Sequence, residues 1–274
     1  MVAPNPSPFT HTGTCTYVVG RGIVAVVDPG PDDPAHVAAL IAATEGERIA
    51  HILVTHTHRD HSPAARRLAA ATGAEIVGCA PHRPRHPGAA GGLDAAHDPD
   101  HAPDRILADG DVLRGEGYSF EAVATPGHAA NHLCFAHAQG DSLFSGDHVM
   151  AWSTSVVAPP DGSMGDYLAS LEALRARGET TYWPGHGGPV REPARYVRAL
   201  LHHRRQREAA ILERLGAGDA TVAAIVARLY DGLAPALAPA ARLTTFAHLE
   251  DLVARGLAEA DGEATPGANY RRRG

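Results

Sequence analysis

The sequence predicts an α/β fold followed by a small, mostly helical unit at the C-terminus. Strand-like and helix-like patterns alternate along most of the 274-residue chain, which is typical of layered α/β domains. A continuous apolar run at 49–55 (IAHILVT) has the length of a strand buried on both faces. Beyond residue 219 the pattern changes to two short helical segments and a polar tail, YRRRG. We therefore predict one domain over residues 1–214 and a second over 215–274.

The first elements follow from turn and cap signals. Two short strands are predicted over 14–20 and 22–28, closed by the turn DPGP, and a helix follows around 35–44. The buried strand 49–55 leads into a helix over 62–71. For this helix we predict Ser62 as the N-cap and Pro63 in the first turn.

The later elements surround one long loop. Residues 80–104 are rich in Pro, Gly, Ala and His without periodicity, so we predict a loop whose histidines are solvated, with an additional metal site as the alternative. Those histidines are His82, His86, His97 and His101. The remaining predicted elements of this domain are strands at 118–125, 131–137, 141–146 and 181–184, and helices at 166–177 and 193–215.

Composition excludes several kinds of chemistry. All 24 basic residues are arginine, which excludes Schiff-base chemistry and a lysine-dependent phosphate loop. Three widely spaced cysteines argue against a disulfide framework and a cysteine zinc cage, so we expect a reducing, cytoplasmic location. We find neither a signal-peptide pattern nor a membrane-spanning apolar run, so no membrane association is predicted. A net charge of -7 gives no overall attraction to nucleic acid.

Four residues of types that bind metals follow the buried strand directly: His56, His58, Asp60 and His61. In an extended segment residues i and i+2 point the same way, so His56 and His58 can approach one metal ion. The chain then turns, and the Asp60–His61 pair can face a second ion close by. The spacing therefore predicts a pair of metal sites.

Three further metal-binding residues occur in turns after strand-like segments: His128, Asp147 and His186. A glycine precedes each of them, which allows a tight turn and a close approach of the backbone to the site. The complete prediction is one site of His56, His58 and His128, a second of Asp60, His61 and His186, and Asp147 as a carboxylate bridge. Mixed nitrogen and oxygen donors with open positions suit zinc. We predict two Zn²⁺ per chain, and iron and manganese also accept such donors.

Other polar residues near this set have simpler interpretations. His132 and His148 each lie beside a predicted ligand, and we expect structural hydrogen bonding, with support of the ligands or substrate contact as the alternative. Cys134 is expected to be a buried core thiol. The segment 191–214 carries seven Arg and three Glu. We interpret it as a solvated helix face, and attraction of an RNA backbone is the alternative.

The order His-x-His-x-Asp-His, Gly-His, Gly-Asp, Gly-His resembles the metallo-β-lactamase superfamily. That resemblance implies an αββα sandwich with a dinuclear metal site at one sheet edge. Within the superfamily, NPSPFT, GTCTYVVG, VVDPGPDD, TPGHAANH, GDYLASLEAL, YWPGHGGPV and HHRRQREAAILERL are similar to the β-lactamase-like protein 2 family over nearly the whole chain. The C-terminal segment resembles the winged-helix-like domain of that family. Cys15 is a departure, because the family commonly has asparagine in GTNTY.

The resemblance implies a hydrolase in which a metal-bridging hydroxide is the nucleophile. Metal binding lowers the pKa of water toward about 7, and Asp60 is placed to orient the hydroxide. The implied substrates are single-stranded RNA or a small-molecule thioester or ester. Alternatives are a glyoxalase II-like thioesterase, for which no basic glutathione clamp is found, and an iron-dependent sulfur-oxidising relative. A non-enzymatic winged-helix regulator is disfavoured by the intact seven-ligand set. The sequence does not fix the oligomeric state, and a dimer is compatible with it.

Overall fold

Two five-stranded β-sheets form the centre of the molecule. The structure is a computed structural model that describes residues 1–83 and 96–274. The first sheet contains, in spatial and chain order, β1 (Tyr17–Arg21), β2 (Ile23–Val27), β3 (Arg48–Val54), β4 (Glu75–Gly78) and β5 (Arg105–Ile106). The second sheet contains β6 (Val112–Gly115), β7 (Tyr118–Ala124), β8 (Leu133–His137), β9 (Ser142–Gly146) and β10 (Thr181–Pro184), side by side in that order.

Strand direction differs between the two sheets. In the first, β1 and β2 are antiparallel, and β2 to β5 run parallel. In the second, β6 to β9 are antiparallel and only β9 and β10 are parallel. The inner faces form one core in which Val26 and Ile52 of the first sheet belong to the same cluster as Phe120 and Phe135 of the second. The sheets therefore pack as a sandwich.

Helices cover the outer faces of the sandwich. On the first sheet lie α1 (Pro34–Ala43), which Asp33 caps by accepting from the Ala35 and His36 N–H groups, and α2 (Ala64–Thr72). On the second sheet lie α3 (Met164–Arg175) and α4 (Pro193–Gly216), whose apolar residues share a core with β8 and β9. The architecture is thus the predicted αββα sandwich.

The predicted N-cap at Ser62 is wrong. The helix α2 begins two residues later, and no side chain caps it. The Ser62 hydroxyl instead donates to Asp98 Oδ2 at 3.1 Å. A partner distant in sequence has therefore taken the side chain that local preference would use as a cap.

The prediction of solvated loop histidines is also wrong for His97 and His101, which are 3% and 5% exposed. His97 Nδ1 lies 2.9 Å from Thr57 Oγ1, and His101 Nε2 lies 3.1 Å from the Cys79 carbonyl. These partners satisfy the buried imidazoles. His82 is partly buried, and His86 lies outside the described residues.

The C-terminal unit contains α5 (Val222–Leu229), α6 (Ala238–Ala254), β11 (Ala258–Ala260) and β12 (Tyr270–Arg272). The two strands form an antiparallel hairpin where a polar tail was predicted. Tyr270 is 3% exposed in the core of this unit, which explains why the segment is ordered. Ile211 and Leu215 of α4 belong to the same core, so the predicted boundary at 214/215 lies inside a helix shared by both domains.

No helix in the described parts of the chain combines the length and the apolar composition needed to cross a membrane.

Candidate metal centre

The seven predicted ligands lie together at one edge of the sandwich. The segment His56–His61 follows β3 directly, and His128, Asp147 and His186 follow β7, β9 and β10. Their donor atoms form two groups, and within each group all donor atoms lie within 4.8 Å of one another. One group is His56, His58, His128 and Asp147, and the other is Asp60, His61 and His186. The structure thus brings the seven side chains together as two adjacent donor sets.

The three-histidine set has the spacing of a coordination shell. His58 Nδ1 lies 2.9 Å from His56 Nε2 and 3.1 Å from His128 Nε2. Bonds of about 2.0–2.1 Å from a metal to nitrogen, at octahedral or tetrahedral angles, place neighbouring donors roughly 2.8–3.4 Å apart. The three nitrogens therefore fit one metal ion.

Asp147 contacts both donor sets through its carboxylate. Its Oδ2 lies 3.6 Å from His128 Nε2 and 3.4 Å from His186 Nε2, and its Oδ1 lies 3.4 Å from His61 Nε2. Asp60 Oδ2 completes the second set at 3.1 Å from His186 Nε2 and 3.4 Å from His61 Nε2. Asp147 therefore lies between the two donor sets, which is the position that a bridging carboxylate requires.

Hydrogen bonds on the far side of the rings fix the donor nitrogens. The Thr55 hydroxyl donates its one proton to Asp28 Oδ2, so its oxygen accepts from His56 Nδ1 at 3.0 Å. His61 Nδ1 donates to Asp28 Oδ2 at 2.9 Å, and His128 Nδ1 donates to the Val156 carbonyl at 2.7 Å. A proton held on Nδ1 leaves Nε2 as the metal-binding nitrogen. All three rings are therefore oriented as ligands.

Sequence reasoning missed Asp28. This carboxylate is 2% exposed and accepts from the Thr55 N–H, the Thr55 hydroxyl and His61. Asp28 lies at the end of β2, where its φ of 48° turns the chain toward the site. The segment VVDPGPDD supports a turn and the family resemblance, but neither assigns its first aspartate a role behind the ligands.

The electrostatics of the centre favour a bound cation. Burial lowers the pKa of His56 and His58, which keeps both rings neutral. Burial also acts to lower the pKa of His186, but Asp147 and Asp60 outweigh it and raise that pKa to about 9. Burial acts to raise the pKa of Asp147, yet His186 and His61 hold it well below its usual range. The buried carboxylates therefore stabilise positive charge between them, which divalent ions would supply.

His132 and His148 lie behind the centre. His132 Nε2 accepts from the Asp147 N–H at 3.2 Å, so its Nδ1 donates to Thr125 Oγ1 at 2.8 Å. His148 is fully buried, with its ring 4.5 Å from that of Tyr167. The contacts of His132 agree with the predicted hydrogen-bonding role. They also fix the backbone of Asp147, one of the predicted ligands.

Two of the predicted glycines are needed because side chains of the centre approach their Cα atoms. A Cβ on Gly185 would lie 2.4 Å from Asp147 Oδ1 and 2.5 Å from a carbon of the His61 ring. A Cβ on Gly146, where φ is 48°, would lie 2.6 Å from His132 Nε2. The backbone therefore approaches the site at distances that only glycine allows.

Residues near the N-terminus cover the second donor set. Thr14 Oγ1 donates to Asp60 Oδ2 at 3.4 Å, and the Cys15 N–H donates to the Gly185 carbonyl at 2.7 Å. The Cys15 thiol is buried and donates to the Gly187 carbonyl at 3.6 Å. Cys15 therefore occupies a packing position beneath the site and leaves the seven donors intact.

A third cluster, His82, His97 and Asp161, lies beside the first donor set. The two rings stack with centroids 3.6 Å apart and planes 3° apart. An imidazole binds a metal through a lone pair in its own plane, so two stacked parallel rings cannot direct their lone pairs at one ion. Asp161 instead accepts the Ala130 N–H and lies 3.3 Å from His97 Nε2. The arrangement fits a hydrogen-bonded support, and the His97 ring is 4.6 Å from that of His58.

A cleft of about 520 Å³ opens onto the two donor sets. Its lining includes His58, Asp60, His128, Asp147 and His186 at one end. Arg59 is the one arginine among the described lining residues. The walls are mostly apolar, formed by Phe9, Met150, Val156, Ala158, Pro239, Ala240 and Leu243. The last three belong to α6, so the C-terminal domain forms one wall of the cleft.

Comparison with known families gives two matches. The family model of the metallo-beta-lactamase superfamily matches residues 10–186. The family model of the beta-lactamase associated winged helix domain matches residues 221–267.

Comparison with individual proteins gives similar sequences and a similar solved structure. An atrochrysone carboxyl ACP thioesterase of Claviceps purpurea is 26% identical over 219 residues, which are 79% of this chain and 64% of that protein. This chain therefore spans less than two thirds of that relative. The lactamase-like protein aptB of Emericella nidulans is 31% identical over 253 residues, covering 86% of this chain and 75% of that protein. A metallo-beta-lactamase family protein of Thermus thermophilus has a crystal structure similar to this one, with a TM-score of 0.79 and 25% identity, covering 99% and 97% of the two chains.

Proposed function

This chain belongs to the metallo-β-lactamase superfamily and is a metal-dependent hydrolase. We propose that it hydrolyses small-molecule thioesters with apolar acyl groups at a dinuclear metal centre. The observation that carries the proposal is the mostly apolar cleft ending at the two donor sets. The thioesterase name of the Claviceps relative supports the same chemistry. The division into residues 1–214 and 215–274 is also proposed, with α4 crossing the boundary and belonging to both domains.

The donor sets support two metal ions as the cofactor. The first would be held by His56, His58 and His128, the second by Asp60, His61 and His186, and Asp147 would bridge them. Asp147 Oδ1 is buried and accepts no hydrogen bond within the described residues, which fits an oxygen meant for a cation. The mixture of nitrogen and oxygen donors suits zinc, and iron or manganese are the alternatives.

The metal ions would supply a water molecule ionised near neutral pH and an electrophile for the thioester carbonyl. The protein contributes orientation. Asp60 faces the cleft with 27% of its side chain exposed, and its Oδ2 accepts from the Thr14 hydroxyl. This carboxylate is positioned to accept a hydrogen bond from the attacking water and to aim it at the carbonyl carbon. Asp60 is therefore proposed as both a ligand and a catalytic residue.

The walls would bind the acyl group. Phe9 and Leu243 both line the cleft and offer apolar surface. Burial of an apolar acyl group against such walls contributes about 25 cal/mol per Å² of surface removed from water. The winged-helix domain would thus influence which acyl group is accepted, because Leu243 belongs to it.

RNA hydrolysis receives less support from the described surface. A single-strand site needs a basic groove with cations free to meet phosphates. In the segment 191–214, Arg195, Arg205 and Arg214 are engaged by Glu192, Glu172 and Asp219. Arg204 is buried, and Arg207 packs over the Tyr230 ring. These five of the seven arginines in this segment are thus paired, stacked or buried, which disfavours an RNA track, and buried Arg204 departs from the predicted solvated face.

The test is a substrate panel with the full-length, metal-loaded protein. Acetyl and aromatic acyl thioesters of the same thiol are compared with a lactone, a β-lactam and single-stranded RNA. We expect turnover of thioesters, with a lower KM for the aromatic acyl group. Leu243→Arg should raise that KM several-fold while the acetyl thioester changes little. Leu257→Arg is the matched control, because Leu257 is 40% exposed and is not among the cleft-lining residues. Cleavage of RNA without turnover of any thioester would overturn the proposal.

A further inference from the structure

A buried arginine lies behind the metal centre. Arg204 on α4 is 2% exposed, and its Nη2 donates to the Ser155 carbonyl. Its guanidinium also packs over the Tyr167 ring, 5.0 Å from the centroid. None of the ion pairs found in the described chain includes Arg204. Burying a guanidinium that contacts a backbone carbonyl and an aromatic ring, without a carboxylate partner, costs desolvation energy. A functional role for Arg204 would explain why the fold bears this cost.

The segment that Arg204 contacts, residues 155–156, also forms hydrogen bonds with two of the proposed metal ligands. The Ser155 hydroxyl donates to the Asp147 carbonyl at 2.5 Å and lies 2.9 Å from the His148 carbonyl. The next residue, Val156, accepts from His128 Nδ1 at 2.7 Å. One short segment therefore contacts a ligand of the three-histidine set and the bridging carboxylate residue.

The C-terminal domain holds the same segment from another side. The Val157 N–H donates to Thr244 Oγ1 on α6 at 3.4 Å. The segment 155–157 is therefore held at both ends, by Arg204 of α4 at Ser155 and by Thr244 of α6 at Val157. Neither side chain belongs to the donor sets or to the cleft lining.

From these contacts we infer that Arg204 is a positioning residue for the metal centre, acting through the Ser155–Val156 backbone on His128 and Asp147. Release of the Ser155 carbonyl would let this segment shift. The Val156 carbonyl would then no longer accept the hydrogen bond from His128 Nδ1. The His128 ring could rotate, and its Nε2 would no longer point toward the first donor set. The inference rests on the proposed dinuclear centre, because it assigns Arg204 an effect on metal affinity.

The experiment measures metal affinity of the full-length protein by zinc competition with a chromophoric chelator. Arg204→Met should weaken binding about tenfold, which is at the lower end for residues that support ligands. Arg204→Lys should recover most of the affinity, because an ammonium group can donate to the same carbonyl. The matched control is Arg205→Met, which removes an exposed arginine from the same helix.

A second variant keeps the inference testable if Arg204→Met does not fold. Ser155→Ala removes only the hydroxyl that donates to the Asp147 carbonyl, and it should also weaken metal binding. A merely structural role for Arg204 would lower the melting temperature and leave affinity unchanged. Unchanged affinity in folded Arg204→Met, or in Ser155→Ala where Arg204→Met is unfolded, overturns the inference. Fewer than two zinc ions in the wild-type protein would instead contradict the proposed dinuclear centre.

Discussion

Replacing Asp28 by asparagine tests how strongly the layer behind the ligands controls metal binding. The Thr55 N–H donates to Asp28 Oδ1, so the amide oxygen of asparagine must take that place. Its NH₂ group then faces His61 Nδ1, which lies 2.9 Å from the native carboxylate. The NH₂ group and the His61 Nδ1–H would then be two hydrogen-bond donors facing each other. This repulsion is relieved if His61 carries its proton on Nε2, the nitrogen that faces Asp60 and Asp147.

The expected cost can be derived from that one bond. A hydrogen bond to a charged group contributes about 1.5–3 kcal/mol, which corresponds to roughly 10- to 150-fold in a dissociation constant. The loss should fall on the site formed by Asp60, His61 and His186. The three-histidine site should keep its ion, because the Thr55 hydroxyl can still accept from His56 Nδ1.

The assay titrates metal-free protein with zinc against a chelator and fits two binding events. Asp33→Asn is the matched control, because Asp33 caps α1 and asparagine caps equally well. If Asp28→Asn bound two ions with wild-type affinities, the tautomer argument would be refuted.

Two further predictions concern the bridge and pH. Asp147→Ala should reduce turnover at least a hundredfold and lower the metal content from about two ions toward one, since the three-histidine site retains its own nitrogens. Elemental analysis and kinetics measure both quantities. Unchanged metal content and turnover would show that Asp147 does not bridge. Metal-free protein should lose thermal stability as pH rises, because His186 has a pKa raised from 6.5 to about 9. The stability it contributes is fully present below pH 6.5 and is lost as pH rises through about 9. Melting curves at pH 6.5, 8 and 9.5 check this, and a melting temperature that rises over this range would contradict it.

The clustering of the seven predicted ligands could be foreseen from the sequence because each of them follows the end of a strand-like segment. His56 and His58 share one side of an extended segment, and the other members follow strands that end at the same edge. The chemistry of each residue type was therefore enough to assign two sites. The αββα order followed from the resemblance, and the strand at 49–55 from its unbroken apolar run.

The supporting layer could not be predicted because its contacts join residues far apart in sequence. Asp28 and His61 are 33 residues apart, and Ser155 and Arg204 are 49 apart. No periodicity encodes such pairs. The burial of His97 depends likewise on Thr57, 40 residues earlier. The strands β4 to β6 have four residues or fewer, too short for alternation to be distinguished from loop sequence.

The continuity of α4 limits how this protein can be recombined with its relatives. The helix has 24 residues, roughly 36 Å at 1.5 Å per residue. Val197 and Leu200 near its start pack in the sandwich, whereas Ile211 and Leu215 near its end pack in the winged-helix core. A chimera joined at 214/215 would separate Leu215 from Ile211 and combine two parental surfaces within one core. A seam at Ala217–Ala220, in the turn between α4 and α5, leaves the helix whole, but the end of α4 must then match the new domain. Exchange of the winged helix, and with it the α6 wall of the cleft, therefore requires the last turns of α4 to be exchanged as well.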